Sequence, residues 1–142
     1  MYIAVSLVKF HVKFKKMSKK IVKTDLAPDA IGPYSQAVIH NGLVYCSGQI
    51  PLIPKNMELN SGNIREQTDQ VMKNLSAVLT EAGSSMDRVL KCTIYLADMD
   101  DFPSVNEVYG SYFVSNPPAR ETVAVKTLPK NVAIEISCVA FI

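Results

Sequence analysis

The dipeptide Asn41-Gly42 limits the fold of this chain more than any other feature, because it separates two apolar-rich runs at 36–40 and 43–47. Asn-Gly is the strongest short-range signal for the tight turn that joins two antiparallel strands. We therefore expect both runs to be strands of one hairpin. The fold must contain a sheet that includes this hairpin.

The remaining elements follow from the spacing of apolar residues. A period of two indicates strands at 21–24, 89–97, 121–128 and 132–136. Two stretches with helical spacing lie between them. The order β-β-β-α-β-α-β-β predicts an α+β fold in which two helices cover one side of a mixed sheet.

The first helix is predicted from 64 to 82, with Asn63 or Ser61 as its N-cap and Gly83 just past its end. Its apolar residues recur on one face, as expected for a helix packed on a sheet. The predicted stripe is Ile64, Val71, Leu75, Val78, Leu79 and Ala82.

The second helix is predicted to begin at Asp100 or Asp101, with Pro103 in its first turn, and to end near 116–118. Its length and stripe again suit a helix that packs on the sheet. The stripe is Phe102, Val105, Val108, Tyr109, Tyr112 and Phe113.

The sheet face without helices is expected to be small and apolar, with few charges. Such a face is too apolar to remain wholly in water. We therefore predict self-association through it. Its expected members are Thr93, Tyr95, Thr122, Ala124, Ala133, Val139 and Phe141.

The last two strands each carry a charged residue among small side chains, Arg120 in one and Glu135 in the other. If these strands pair as a hairpin, alternation puts both residues on one sheet face near opposite ends of the pair. That pair would suit a small anion and a water. A structural salt bridge is the alternative, and the residue types by themselves favour it.

Several short motifs, in order along the chain, resemble those of the Rid/YjgF family. The most specific are Pro118-Ala119-Arg120, Leu128-Pro129-Lys130 and Ile134-Glu135-Ile136. The resemblance covers roughly 19–142. The motifs that precede these three are Ala30-Ile31-Gly32-Pro33-Tyr34-Ser35-Gln36-Ala37, Ser47-Gly48-Gln49-Ile50 and Val105-Asn106-Glu107-Val108-Tyr109.

The resemblance implies a chorismate-mutase-like fold assembled as a homotrimer, with sites in the clefts between subunits. It also implies a reaction, the hydrolysis of reactive 2-enamine or 2-imine acids to 2-keto acids and ammonia. The expected small-molecule partners include 2-aminoacrylate and 2-iminobutanoate. No cofactor and no metal are expected.

Site residues are implied by the same resemblance. Arg120 suits the substrate carboxylate because its planar fork donates two charge-assisted hydrogen bonds. Glu135 suits the orientation of water and the movement of a proton, and Tyr34 offers a ring and a hydroxyl. The predicted substrate-binding set is Ser47, Gly48, Asn106 and Thr122.

Two positions depart from the family pattern. Thr122 stands where many relatives have a cysteine, so no thiol chemistry is expected there. Glu121 stands where a small or apolar residue is usual, and alternation directs it away from Arg120. Both departures bear on substrate range more than on fold.

The distribution of charge disfavours nucleic acid as a partner of the domain. Residues 1–24 hold seven lysines and no acid, whereas the remaining 118 residues carry eight basic and thirteen acidic side chains, a net of −5. An acidic domain is a poor phosphate-binding surface. The alternatives to an enzyme are a ligand-binding or chaperone-like trimer and a translation-inhibiting RNA-binding protein that uses the basic N-terminus.

The three cysteines are expected to be buried, reduced thiols. Cys46, Cys92 and Cys138 all fall in predicted strands, without a Cys-x-x-Cys pair, and the chain has only His11 and His40 besides. Neither a zinc site nor a disulfide framework fits this pattern.

A basic extension, 1–18, precedes the single predicted domain, 19–142. Its apolar part comes before its basic part, which is the wrong order for a secretory signal. It lacks acids, as a mitochondrial presequence does, but it also lacks arginine and alternates with period two at 8–15. A cytoplasmic protein is expected, with mitochondrial import or a start at Met17 as alternatives. No apolar run reaches the about 20 residues of a membrane span.

Overall fold

A mixed sheet of six strands, with two helices on one face, is built from residues 18–142, the part of the chain that the computed structural model describes. The predicted extension lies outside it, apart from Ser18. The predicted order of elements is confirmed. The strands are β1 (Lys20–Val22), β2 (Ala37–His40), β3 (Leu43–Gln49), β4 (Val89–Leu96), β5 (Ala119–Ala124) and β6 (Ile134–Phe141), and the helices are α1 (Ile64–Glu81) and α2 (Phe102–Ser111).

The predicted hairpin is confirmed as β2 and β3. His40 lies opposite Leu43, and the intervening Asn41 and Gly42 have φ angles of 50° and 77°. Positive φ at both turn positions is what a type I′ turn requires.

The predicted pairing of the last two strands is wrong. The strand order is β1-β2-β3-β6-β4-β5, with β6 antiparallel to both β3 and β4, and β5 parallel to β4 at the edge. Burial explains the order, because Ile134, Ile136 and Cys138 of β6 need helices over them and are almost fully buried. The residues of β5 are mostly exposed, as suits an edge strand.

Helix α1 follows the prediction closely. The Asn63 side chain accepts from the N–H groups of Arg65 and Glu66, while the Glu66 carboxylate accepts from the N–H of Asn63 at 2.8 Å. This capping box satisfies N–H groups that the helix itself leaves unpaired. The helix ends just before Gly83, whose φ is 80°. Its buried residues, chiefly Val71, Met72, Leu75, Val78 and Leu79, pack on β3 and β6.

Helix α2 is shorter than predicted. A 3-10 turn at Met99–Asp101 precedes it, and the cap of that turn is Asp98, which accepts from the Asp100 N–H at 2.9 Å. The helix stops at Ser111 rather than near 116–118. Pro117 and Pro118 cannot continue a helix, and Asn116 before them has a φ of 52°, which is left-handed. Residues 113–118 therefore form a loop.

The three cysteines stand side by side on the helix-covered face. Cys138 of β6 lies opposite Cys46 of β3 and opposite Cys92 of β4, and all three are free and buried, as predicted. Burial raises the pKa of the Cys92 thiol.

The open face of the sheet is apolar, although its membership differs from the prediction. Thr122 and Ala124 lie opposite Ile94 and Leu96 and therefore share the helix-covered face. Ala133 precedes β6. Large apolar residues that face solvent on the open face include Ile21, Tyr45, Val123 and Phe141.

Neither helix within residues 18–142 combines the length and the hydropathy of a membrane span.

Candidate functional site

A cavity of about 500 Å³ at one end of β3 brings together four of the predicted site residues: Tyr34, Ser47, Gly48 and Glu135. They come from three separate parts of the chain. The cavity lies beside an irregularity in the pairing of β3 with β6, between Cys46 and Gln49. Bulges of this kind bend a strand and redirect its side chains. Its remaining lining is Pro28, Asp29, Ile31, Gln36, Gln49, Ile50, Leu52, Pro129 and Lys130.

Glu135 is one of two acidic residues that line this cavity, the other being Asp29. The carboxyl of Glu135 lies directly over Gly48, and a β-carbon added to Gly48 would overlap it. Burial raises the pKa of Glu135, and within the described residues neither a side-chain hydrogen bond nor a nearby charge offsets that rise. The carboxyl is thus available to a water or a ligand.

The raised pKa of Glu135 predicts a pH-dependent effect of Glu135→Gln on stability. The folded state binds this proton more tightly than the unfolded state, so the contribution to stability is present at low pH and is lost as pH rises through the raised pKa. Glutamine cannot ionise. We expect the variant to have a higher Tm than wild type at about pH 7 and nearly the same Tm at about pH 3, measured by calorimetry.

Glu121→Gln is the matched control, because the pKa of Glu121 is shifted in the opposite direction from that of Glu135. Hydrogen bonds from Lys91 and Thr93 lower the pKa of Glu121. Its contribution is present above the unfolded pKa and is lost as pH falls through the lowered one. The variant should therefore be less stable than wild type near pH 7. The same sign for both variants would contradict the assignment.

A second prediction concerns Gly48→Ala. The added methyl group has to displace the Glu135 carboxyl, while the backbone at Gly48 has an ordinary φ. We expect activity to fall at least about tenfold with a small change in Tm, because a misplaced catalytic group costs rate before it costs stability. Gly110→Ala, where nothing lies within 4 Å of the added carbon, should leave activity unchanged.

The loop that carries Tyr34 is fixed near both ends. The Ser47 hydroxyl donates to the carbonyl of Ser35 at 2.6 Å. The buried Gln36 amide accepts from the N–H of Thr24 at 2.7 Å and donates to the carbonyl of Pro28 at 2.8 Å. Within the loop, the N–H of Ile31 donates to the Tyr34 hydroxyl at 3.2 Å, which leaves the tyrosine's own proton for a ligand.

Arg120 lies in a second group of residues, formed by β5 and α2. Its Nη1 donates to Asn106 Oδ1 at 2.7 Å, and its guanidinium lies 5.4 Å from the ring centre of Phe102 and 4.9 Å from that of Tyr109. Phe102, Asn106 and Tyr109 recur at helical spacing on one face of α2. Aromatic faces and an amide oxygen thus hold the guanidinium in one orientation.

Arg120 and Glu135 lie on opposite faces of the sheet. Arg120 is level with Cys92 on the helix-covered face, whereas Glu135 is level with Tyr95 on the open face. The expectation that they share a face is therefore wrong. That expectation assumed that β5 and β6 pair as a hairpin. In the structure β4 lies between them.

Thr122 and Glu121, the two positions that depart from the family pattern, lie in different surroundings. The Thr122 hydroxyl is buried on the Arg120 side without a hydrogen-bond partner in the described chain. Glu121 points away from Arg120, as alternation predicts, and pairs with Lys91 at 2.9 Å. The sequence placed Phe102 and Tyr109 in a buried stripe, and only their spacing with Asn106 could have indicated contact with Arg120.

The two groups of residues offer different chemistry on opposite faces of the sheet. Arg120 presents a fixed cation, Glu135 a proton acceptor, and Tyr34 a hydroxyl donor. Within residues 18–142 no three His, Cys, Asp or Glu side chains converge as they would around a metal ion.

Comparison with known proteins gives consistent matches over nearly the whole domain. A family model described as Endoribonuclease L-PSP matches residues 24–142. Reactive Intermediate Deaminase A, chloroplastic, of Arabidopsis thaliana is 45% identical over 129 residues, which are 91% of this chain and 69% of the relative. The mitochondrial protein mmf1 of Schizosaccharomyces pombe is 48% identical over 128 residues, 88% of this chain and 78% of the relative.

Solved structures match equally well. Escherichia coli TdcF, crystallised with bound serine, superposes with a TM-score of 0.83 at 37% identity, over 87% of this chain and 98% of that chain. The agreement extends to the fold as well as to the sequence.

Proposed function

The chain belongs to the Rid/YjgF family, and on that premise we propose that it hydrolyses reactive 2-enamine and 2-imine acids, such as 2-aminoacrylate, to 2-keto acids and ammonia. The observation that carries the proposal is the Glu135 carboxyl, which is half-buried in a cavity beside Tyr34 and has no side-chain partner among the described residues. One relative is named as a reactive intermediate deaminase. Another was solved with serine, which carries a carboxylate next to a nitrogen-bearing carbon.

In the proposed reaction, Arg120 holds the substrate carboxylate. 2-Aminoacrylate takes a proton at its terminal carbon, loses one from its nitrogen, and becomes 2-iminopropanoate. A water held by Glu135 adds to the C=N carbon and gives a proton to the carboxylate. Glu135 returns that proton to the nitrogen, which gives a carbinolamine. The proton of the new hydroxyl group then passes to the nitrogen through Glu135, the C–N bond breaks, and ammonia leaves as the carbonyl of pyruvate forms.

We propose that each site is completed by two copies of the chain. Arg120 and Glu135 lie on opposite faces of one sheet, so a single copy cannot direct both at one small molecule. A homotrimer would repeat one contact between unlike surfaces around a closed ring. Each cleft would then receive Glu135, Tyr34, Ser47 and Gly48 from one copy and Arg120 with Asn106 from the next. The apolar open face is the surface available for such contacts.

RNA cleavage or binding is the second candidate, because the family model carries the name endoribonuclease. The net charge of −5 outside residues 1–24 opposes it. Removal of residues 1–16 distinguishes the two functions. Enamine hydrolysis should survive the truncation, whereas RNA binding driven by lysines should not.

Organelle import is a further proposal, since relatives are named chloroplastic and mitochondrial. The lysine-rich residues 1–18 would then be the targeting segment, and a cytoplasmic location is the alternative. Fusion of these residues to a fluorescent protein tests the two locations.

The function itself is tested by a coupled assay. A serine dehydratase generates 2-aminoacrylate in solution, and the rate of pyruvate formation is followed with and without the protein. Acceleration over buffer is the expected result. Correctly assembled protein that gives no acceleration would refute enamine hydrolysis for this substrate.

A further inference from the structure

Two successive residues at the rim of the cavity have left-handed backbone. Lys130 and Asn131 have φ angles of 56° and 54°, which are uncommon for residues other than glycine. Local hydrogen bonds hold the turn, from the N–H of Asn131 to the carbonyl of Leu128 at 2.9 Å and from the Thr127 hydroxyl to Asn131 Oδ1 at 3.2 Å. Strained backbone of this kind is concentrated at functional sites.

The turn places a positively charged side chain, that of Lys130, in the lining of the cavity. Its charged lining residues are Asp29, Glu135 and Lys130. Asp29 already has a cationic partner, since its Oδ1 lies 3.6 Å from Lys23 Nζ. Lys130, by contrast, makes no ion pair with any described residue. Lys130 is thus the one cation among the described residues that line the cavity. Without it, an anion entering the cavity would meet two carboxylates.

We propose that Lys130 determines specificity for anionic substrates by drawing the carboxylate of a 2-imino acid into the cavity that holds Glu135. This proposal rests on the proposed function. Arg120 lies on the other sheet face and is held by Asn106 and two rings, so it presents a fixed anchor. Lys130 is exposed and flexible, and it acts through charge over a longer range. A neutral imine would gain nothing from it.

The first test compares Lys130→Ala with Lys126→Ala. Lys126 is an exposed lysine four residues earlier that does not line the cavity. Lys130→Ala should raise KM for 2-aminoacrylate about tenfold at low salt with kcat changed less than about twofold, because exposed charges act mainly on capture. The KM difference should shrink at about 1 M salt, where the Debye length is only ~3 Å. Lys126→Ala should behave as wild type.

Two further variants separate charge from backbone. Lys130→Arg keeps the charge and should retain a KM near that of wild type. Lys130→Gly accepts the left-handed backbone without strain, so it should keep the Tm of wild type and yet show the KM of Lys130→Ala. A KM that is normal in Lys130→Gly would overturn the proposal, as would a salt-independent change in KM.

Binding of pyruvate, measured by calorimetry with pyruvamide as the neutral comparison, separates this inference from the proposed function. Wild type should prefer pyruvate, and Lys130→Ala should lose most of that preference. If wild type hydrolyses no enamine yet shows this pattern, the proposed reaction fails and the role of Lys130 stands. Equal preference in both proteins would refute the role of Lys130, whatever the activity.

Discussion

Arg120→Ala is expected to lower kcat/KM for 2-aminoacrylate about 10- to 150-fold, because a charge-assisted hydrogen bond to a carboxylate contributes about 1.5–3 kcal/mol. Arg120→Lys should recover little of this loss. A lysine lacks the planar fork that Asn106 and the rings of Phe102 and Tyr109 hold in place. Steady-state kinetics in the coupled pyruvate assay measure both variants.

Arg88→Ala is the matched control for this prediction. Arg88 also lies over an aromatic ring, 5.8 Å from the centre of Phe141, but it belongs to neither group of site residues. It should retain the activity of wild type. Full activity in a correctly assembled Arg120→Ala protein would remove Arg120 from the site.

Glu135→Gln is expected to lower kcat about 10²- to 10⁴-fold with little change in KM, the usual range for loss of a general base. The glutamine keeps the size of the side chain over Gly48 but cannot accept the proton of the attacking water. Glu121→Gln should keep normal kinetics, because its carboxylate pairs with Lys91 of β4 and does not line the cavity that holds Glu135. Normal kcat in Glu135→Gln would transfer the role of base to another group.

The activity of wild type is expected to depend on pH in a direction that the raised pKa of Glu135 determines. Glu135 must be ionised to accept a proton, so activity should fall as pH decreases through its raised pKa. That acid limb should lie above the value of an exposed glutamate. It should be absent from the residual activity of Glu135→Gln.

Mixing the two inactive variants tests whether sites are shared between copies. If Arg120 and Glu135 of one site come from neighbouring copies, mixed oligomers of Arg120→Ala and Glu135→Gln contain some intact sites. Random exchange of equal amounts should restore about a quarter of wild-type activity. No recovery after verified subunit exchange would mean that each site belongs to one chain.

Local features of the sequence were sufficient for most of the helices and strands. Asn41-Gly42 specified a hairpin because its turn needs backbone that few residues adopt, and Asn63 with Glu66 specified the start of α1 through their own hydrogen bonds. The family resemblance implied Tyr34, Ser47 and Gly48 as site residues, and all three line one cavity with Glu135. Turn and capping signals depend on residues only a few positions apart, so they can be recognised directly in the sequence.

The pairing of distant strands was decided only by the tertiary structure. Alternation showed which residues share a face of one strand, but not that β6 would enter the sheet between β3 and β4 and leave β5 at the edge. The covering of β6 by α1 determines this order, since burial is a property of the assembled layers. That order put Arg120 and Glu135 on opposite faces of the sheet, and Lys130 lines the cavity that holds Glu135. The sequence by itself thus determined the chemical groups of the site, whereas long-range packing determined which of them can meet within one chain.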